Sequence, residues 1–182
     1  MSASKPWWRA LSVLLLLLIS VALPEPIRAQ TSTTLQIQPA SSILSPGEAF
    51  HVSVWIDNVE DLYAYTIKLS FPAALLRLNS ISNGSFLDSG LIVGPVIDNV
   101  AGTAMLTNTQ VNPSTPKDGS GVLLELEFVV RESLGEGEIN FLQNDLVEFD
   151  TYALIPAEVV GASVRVCDQQ ICNRVFLPFT VH

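Results

Sequence analysis

Imidazoles are the scarcest reactive groups in this sequence. His51 and His182 are the only two, and His182 is the last residue. A nucleophilic relay needs an imidazole between a Ser or Cys and an orienting acid, and a zinc centre needs three or four nitrogen, sulfur or carboxylate ligands. Two histidines so placed suit neither. Carboxylates are plentiful, at 18 Asp and Glu, so a glycosidase pair can be composed by counting, but nothing in the spacing brings two into one cleft. Asp57, Glu60 and Asp61 are hard oxygen ligands of the kind calcium takes. They lack the alternation and the glycine of a dedicated calcium loop, so they read as a solvated acidic turn. No GxxxxGK[ST] phosphate loop occurs. These residues point to no enzyme, no metal and no cofactor. Trp55 is the one tryptophan beyond residue 8 and the one aromatic whose strand position turns it outward, which makes it the residue for a direct carbohydrate-binding alternative. Asn83-Gly84-Ser85 matches a glycosylation sequon.

Charge and leader narrow the classes further. Lys5 and Arg9 precede an apolar run from Leu11 to Ala22, which Pro24 and Pro26 then break. That order is a secretory signal peptide over 1–29, cut after Ala29, with Ser20-Val21-Ala22 as the competing site. The apolar run is short of the roughly 20 residues a membrane span needs, so no span is expected after cleavage. Residues 30–182 hold six basic and seventeen acidic side chains, net −11. Such a surface repels nucleic acid and anionic lipid. The expected location is extracellular, secreted or associated with the cell surface.

The elements that would position any site are strands. Phe50, Val52, Val54 and Ile56 share one face, and Tyr63, Tyr65, Ile67, Leu69 and Phe71 share another. Strict period two marks half-buried strands. The two runs are expected to face each other across an acidic turn at 58–62. Further strands are expected from Leu35 to Gln38, around Leu78 and Ile81, from Thr103 to Val111 and from Val122 to Val130. Ile139 with Phe141, Leu146 to Phe149, and Val159 to Val166 complete the set. Asp88 to Pro95 and Asn112 to Gly121 read as loops, and Ser133 to Gly137 as a turn. Short strands between Gly, Pro and Asn turns, with no helix of any length, give an all-β sandwich or jelly roll.

From about residue 34 to 166 the chain resembles a cohesin domain. The resemblance rests on the Pro46-Gly47 turn, the Val52/Val54/Ile56 strand, Leu62-Tyr63-Ala64-Tyr65 and Leu69-Ser70-Phe71-Pro72 followed by Leu75-Leu76. It continues through Asn83-Gly84-Ser85-Phe86-Leu87, Gly119-Ser120-Gly121-Val122-Leu123, the EINFLQNDLVE segment and Val164-Arg165-Val166. It implies a nine-stranded jelly-roll β-sandwich over 30–166 and a non-catalytic receptor for dockerins, the calcium-loaded modules that attach enzymes to extracellular polysaccharide-degrading assemblies. Calcium would then belong to the partner. By the same resemblance Ala64, Thr66, Lys68, Ser70 and Glu148 are offered on one sheet face. Some cohesins carry Asn and Asp at the positions of Ala64 and Thr66, and an Asp at that of Pro72, so the partner's identity stays open.

The tail, 167–182, lies outside the resemblance. Cys167 and Cys172 are the only thiols, and in the oxidising compartment that export implies they are expected to form a disulfide.

Overall fold

Period-two alternation decides this architecture, because each strand must bury the one face it made apolar. The computed structural model describes residues 32–168. Its strands are β1 (Thr33–Gln38), β2 (Ser41–Leu44), β3 (Ala49–Ser70), β4 (Leu76–Asn83), β5 (Leu91–Asp98), β6 (Thr103–Thr109), β7 (Lys117–Val130), β8 (Gly135–Glu148), β9 (Ala157–Val160) and β10 (Ala162–Val166). There is no helix among the described residues.

Strand β3 is the spine and belongs to both layers. Its first half pairs antiparallel with β1 and β7, and β9 and β4 extend that layer at its two edges. Its second half pairs antiparallel with β6 and β8. This second layer runs β2, β10, β8, β3, β6, β5. The inward residues of both layers, among them Leu35, Val54 and Ile56 from one and Ile67, Leu106, Leu146 and Val164 from the other, form one buried cluster. Each such side chain contributes about 1.5–3 kcal/mol on leaving water. Phe128 fills the middle, stacked on Phe50 at 5.4 Å and edge-on to Phe71 at 5.3 Å.

The all-β, sandwich-like expectation agrees with this structure, while the strand boundaries differ in several ways, among them β7 beginning at Lys117 inside the expected 112–121 loop. Residues 58–62 are not a hairpin turn. Asn58 and Asp61 take left-handed φ of 53° and 59°, and the β3–β7 register slips on either side of Val59, so the strand bulges and continues. The acidic side chains there serve as fasteners. Ser120 donates to Asp57, the Asp61 N–H donates to Asp118 at 2.7 Å, and the Phe149 N–H donates to Asp61 at 3.0 Å. Asp88 to Pro95 were read as loop, whereas Leu91–Asp98 form strand β5; nearly every residue in it is exposed, so it wrote no inside–outside contrast into the sequence. Strand β8 runs unbroken where a turn and two short strands were expected. The closing segment is two strands broken at Gly161, and β9 and β10 join different layers. With β2 counted, the described residues hold ten strands where nine were expected. Residues 1–29, Cys172 and the rest of the tail beyond 168 lie outside the described residues.

Candidate docking face

Burying Tyr65, Ile67 and Leu69, each at most 1% exposed, turns Ala64, Thr66, Lys68 and Ser70 to the outer side of the second layer. The ladders then fix what lies beside them. Across β5, β6, β3 and β8 the outer face has four rows: Leu91, Thr109, Ala64, Val147; Val93, Thr107, Thr66, Asp145; Val96, Met105, Lys68, Gln143; and Asp98, Thr103, Ser70, Asn140. Side chains directly opposite on neighbouring strands lie about 5 Å apart, so this is one continuous patch.

Its polar members are largely committed to one another. The Thr66 and Thr107 hydroxyls meet at 3.0 Å, and the Gln143 amide donates to Asp145 at 2.5 Å. The backbone N–H groups of Ala101 and Val100, both 2.9 Å from the Asp98 carboxylate, hold that acid below the usual carboxylate range. Lys68 makes no ion pair among the described residues, so its ammonium is available to something outside.

A buried hydrogen-bond network lies beneath the face. The Tyr65 hydroxyl reaches Asn83 Oδ1 at 2.5 Å and the Leu123 carbonyl at 2.9 Å. Asn108, on β6, donates to Asn83 Oδ1 at 2.7 Å and to the Leu87 carbonyl at 2.8 Å. Burial pushes the Tyr65 phenol well above its ordinary range, with the Asn108 side chain acting the other way. This network ties β3, β4, β6 and β7 together beneath the outer rows, with Asn108 Oδ1 left without a hydrogen-bond partner among the described residues.

The expected site residues fall in different places. Ala64, Thr66, Lys68 and Ser70 form one column of the face. Glu148 stands one position past it. It pairs with Leu62, while the residue beside Ala64 is Val147, and the Glu148 carboxylate accepts the Thr151 hydroxyl. The β3–β8 ladder slips between Leu62 and Ala64, and counting along the sequence does not register such a slip. Trp55 belongs to the other layer, half-buried between Gln36 and Val122, so it shares no surface with Lys68. Cys167 follows directly on β10, its N–H donating to the Leu44 carbonyl at 3.0 Å. Asp57 and Asp61 are engaged as described, and no cluster of three or more His, Cys, Asp or Glu suited to a metal occurs among the described residues. Sequence reasoning missed the contributions of β5, β6 and β8, because the residue opposite Lys68 is decided by long-range register. The alternation of Met105, Thr107 and Thr109 with Ala104, Leu106 and Asn108 was the one usable signal.

A sequence model of the cohesin domain matches residues 33–163. Curated protein sequences give no match. Among solved structures, a non-cellulosomal cohesin from the archaeon Archaeoglobus fulgidus superposes with a TM-score of 0.62 at 18% identity, covering 81% of this chain and 99% of that one. The third cohesin of ScaC from Acetivibrio cellulolyticus, solved in complex with the ScaB dockerin, gives 0.64 at 18% identity, covering 75% and 99%. A type I cohesin–dockerin complex from Clostridium thermocellum gives 0.64 at 12%, again covering 75% and 99%. Matched over most of its length by the family model, with its two layers superposing on these structures, the chain belongs to the cohesin domain family.

Proposed function

We propose that the outer face of the second layer docks a dockerin module of another protein, and that the chain is an exported, non-catalytic receptor in extracellular polysaccharide degradation or surface protein assembly. The observation that carries this reading is the face itself. Four antiparallel strands present small, hydroxyl-bearing and apolar side chains on a rigid base, a surface on which a helical module can lie. Solved relatives captured with dockerins support the same reading. No cofactor is assigned to this chain, and calcium belongs to the partner. The leader supports export, and no helix among the described residues is long and apolar enough to cross a membrane. Direct polysaccharide binding through Trp55 has less support, because the ring is half-buried and the outward strand residues around it, such as Gln36, Ser53 and Glu125, are not aromatic.

The test immobilises residues 30–182 and passes over them purified dockerin modules encoded by the source organism, with calcium and with chelator. Retention that chelator abolishes is expected. Thr66→Arg should weaken it by about 30-fold or more, because it drives a bulky charge into the centre of the contact. Lys68→Glu should weaken it less. Both variants should melt within about 2 °C of the parent, since neither touches the core. Undiminished binding by both would move the site off this face, and failure of every dockerin would count against the receptor reading.

A further inference from the structure

The second layer ends in two edges that differ in kind. At β5 the edge is interrupted, because Gly94 and Pro95 sit mid-strand where the β5–β6 register slips, and proline offers no N–H to a new ladder. At the other edge β2 is unbroken and pairs, among the described residues, with β10 alone and in parallel. The Ser163 N–H donates to the Ala40 carbonyl and the Cys167 N–H to the Leu44 carbonyl, both at 3.0 Å. Backbone groups alternate in direction along a strand, so Ser42 and Leu44 face β10, and the N–H and C=O groups of Ser41 and Ile43 point away from the sheet. The Ile43 residue is also 60% exposed. Ser41-Ser42-Ile43-Leu44 holds no charge, proline or glycine, so none of the usual devices blunts this edge, and native sheets cover such edges.

A cover of suitable sequence leaves the fold beside this edge. Cys167 stands at the Leu44 end of β2 and is disulfide-bonded. Cys172 is the only other cysteine, and a bridge between the two holds their Cα atoms about 4.4–6.8 Å apart. Residues 173–177 read Asn-Arg-Val-Phe-Leu, with Val and Phe favoured in strands, and Pro178 then ends any ladder. The four residues of β2 span about 13 Å, a length that five residues cover. We infer that the Cys167–Cys172 bridge turns the chain back and that residues 173–177 add to the open edge of β2 as an outermost strand, covering Ile43. Because β2 runs parallel to β10, a segment returning from the end of β10 meets β2 antiparallel. Tethering through so short a loop gives the segment an effective concentration in the millimolar range. A second copy of the chain is the poorer occupant, because each copy brings a net charge of −11 over residues 30–182.

Amide hydrogen exchange followed by NMR tests this, because it reads Ser41 and Ile43 separately from Ser42 and Leu44. Residues 30–182 are compared with a chain ending at Cys172, which keeps the bridge and lacks the pairing segment. The expected result is an Ile43 amide that exchanges about tenfold or more faster in the shortened chain, the worth of one hydrogen bond. The amides of Ser42 and Leu44, held by β10, should change by less than about threefold. Reducing the bridge in the full chain should also speed the Ile43 amide. An Ile43 amide that exchanges equally in both chains, whether fast or slow, would overturn the inference. Sedimentation of the same samples identifies the occupant. A monomeric full chain supports the intramolecular strand. A dimer that is lost together with Ile43 protection on shortening would put another copy's tail on this edge and overturn the assignment.

Discussion

Tyr65 is where side-chain chemistry most directly supports the face. Its ring is 1% exposed, and its hydroxyl contacts acceptors that each have another donor. Asn83 Oδ1 also accepts from Asn108, and the Leu123 carbonyl accepts the Gly84 N–H at 2.7 Å. Tyr65→Phe therefore strands no partner and should cost about 1 kcal/mol. Burial raises the folded phenol's pKa, so the unfolded chain ionises first. The stability tied to the neutral phenol is complete below about pH 10 and declines as pH rises beyond it. Urea unfolding between pH 8 and 11 should show a steeper alkaline loss for the parent than for Tyr65→Phe, and parallel profiles would contradict the assignment. Asn83 bears on the sequon in the same way. Its amide nitrogen donates to the Gly84 and Leu87 carbonyls at 2.7 Å each, leaving no hydrogen for a glycan linkage without breaking that network. Mass spectrometry of protein secreted from a glycosylating host should find Asn83 unmodified, and an occupied site would show that the loop opens before it folds. The inward parity of Tyr65 was legible from the sequence. The partners of Asn83 were not, because they come from β6 and from the Leu87 loop.

Strand β3 shows what alternation can and cannot specify. The two apolar faces of its halves were readable, since period two survives any partner. The connection between them was misread as a turn because Asn58, Glu60 and Asp61 are turn-forming residues in isolation. Fasteners some 60 to 90 residues away, Asp118, Ser120 and Phe149, make it a bulged strand. Strand β5 was unreadable for a different reason, having no buried side to alternate against. It is nevertheless fixed. Asn99, just past its end, gives and takes hydrogen bonds with Leu78 at 3.0 and 2.7 Å. Gly102 turns the chain into β6 at φ +69°, where any Cβ would collide with the Phe71 carbonyl. Gly102→Ala should cost about 2–3 kcal/mol through strain and that collision. A urea midpoint unchanged from the parent would mean that the hairpin is less constrained than its geometry implies. The outward column on β3 was thus legible from the sequence, whereas the rows that make it a face needed the register of four strands.

At the scale of the molecule, a single strand passes through both layers, whose outer surfaces differ in character. The first layer's outer side carries Gln36, His51, Ser53, Trp55, Glu125 and Glu127. The second carries the divided apolar and polar grid. Family membership fixes the fold, while the outer face keeps features of its own, with Ala64 in an end row and Thr66 in the next, where larger polar groups would change its shape. Two surfaces mean that the site can be located without prior choice of a mutant. Titrating isotope-labelled protein, residues 30–182, with the retained dockerin and following backbone amide resonances reads both at once. The docking account predicts perturbations concentrated in residues 62–70 of β3 and in β5, β6 and β8, with β1, β4 and β9 nearly silent. Perturbations centred on Gln36, Trp55 and Val122 would contradict it and place the partner on the opposite layer.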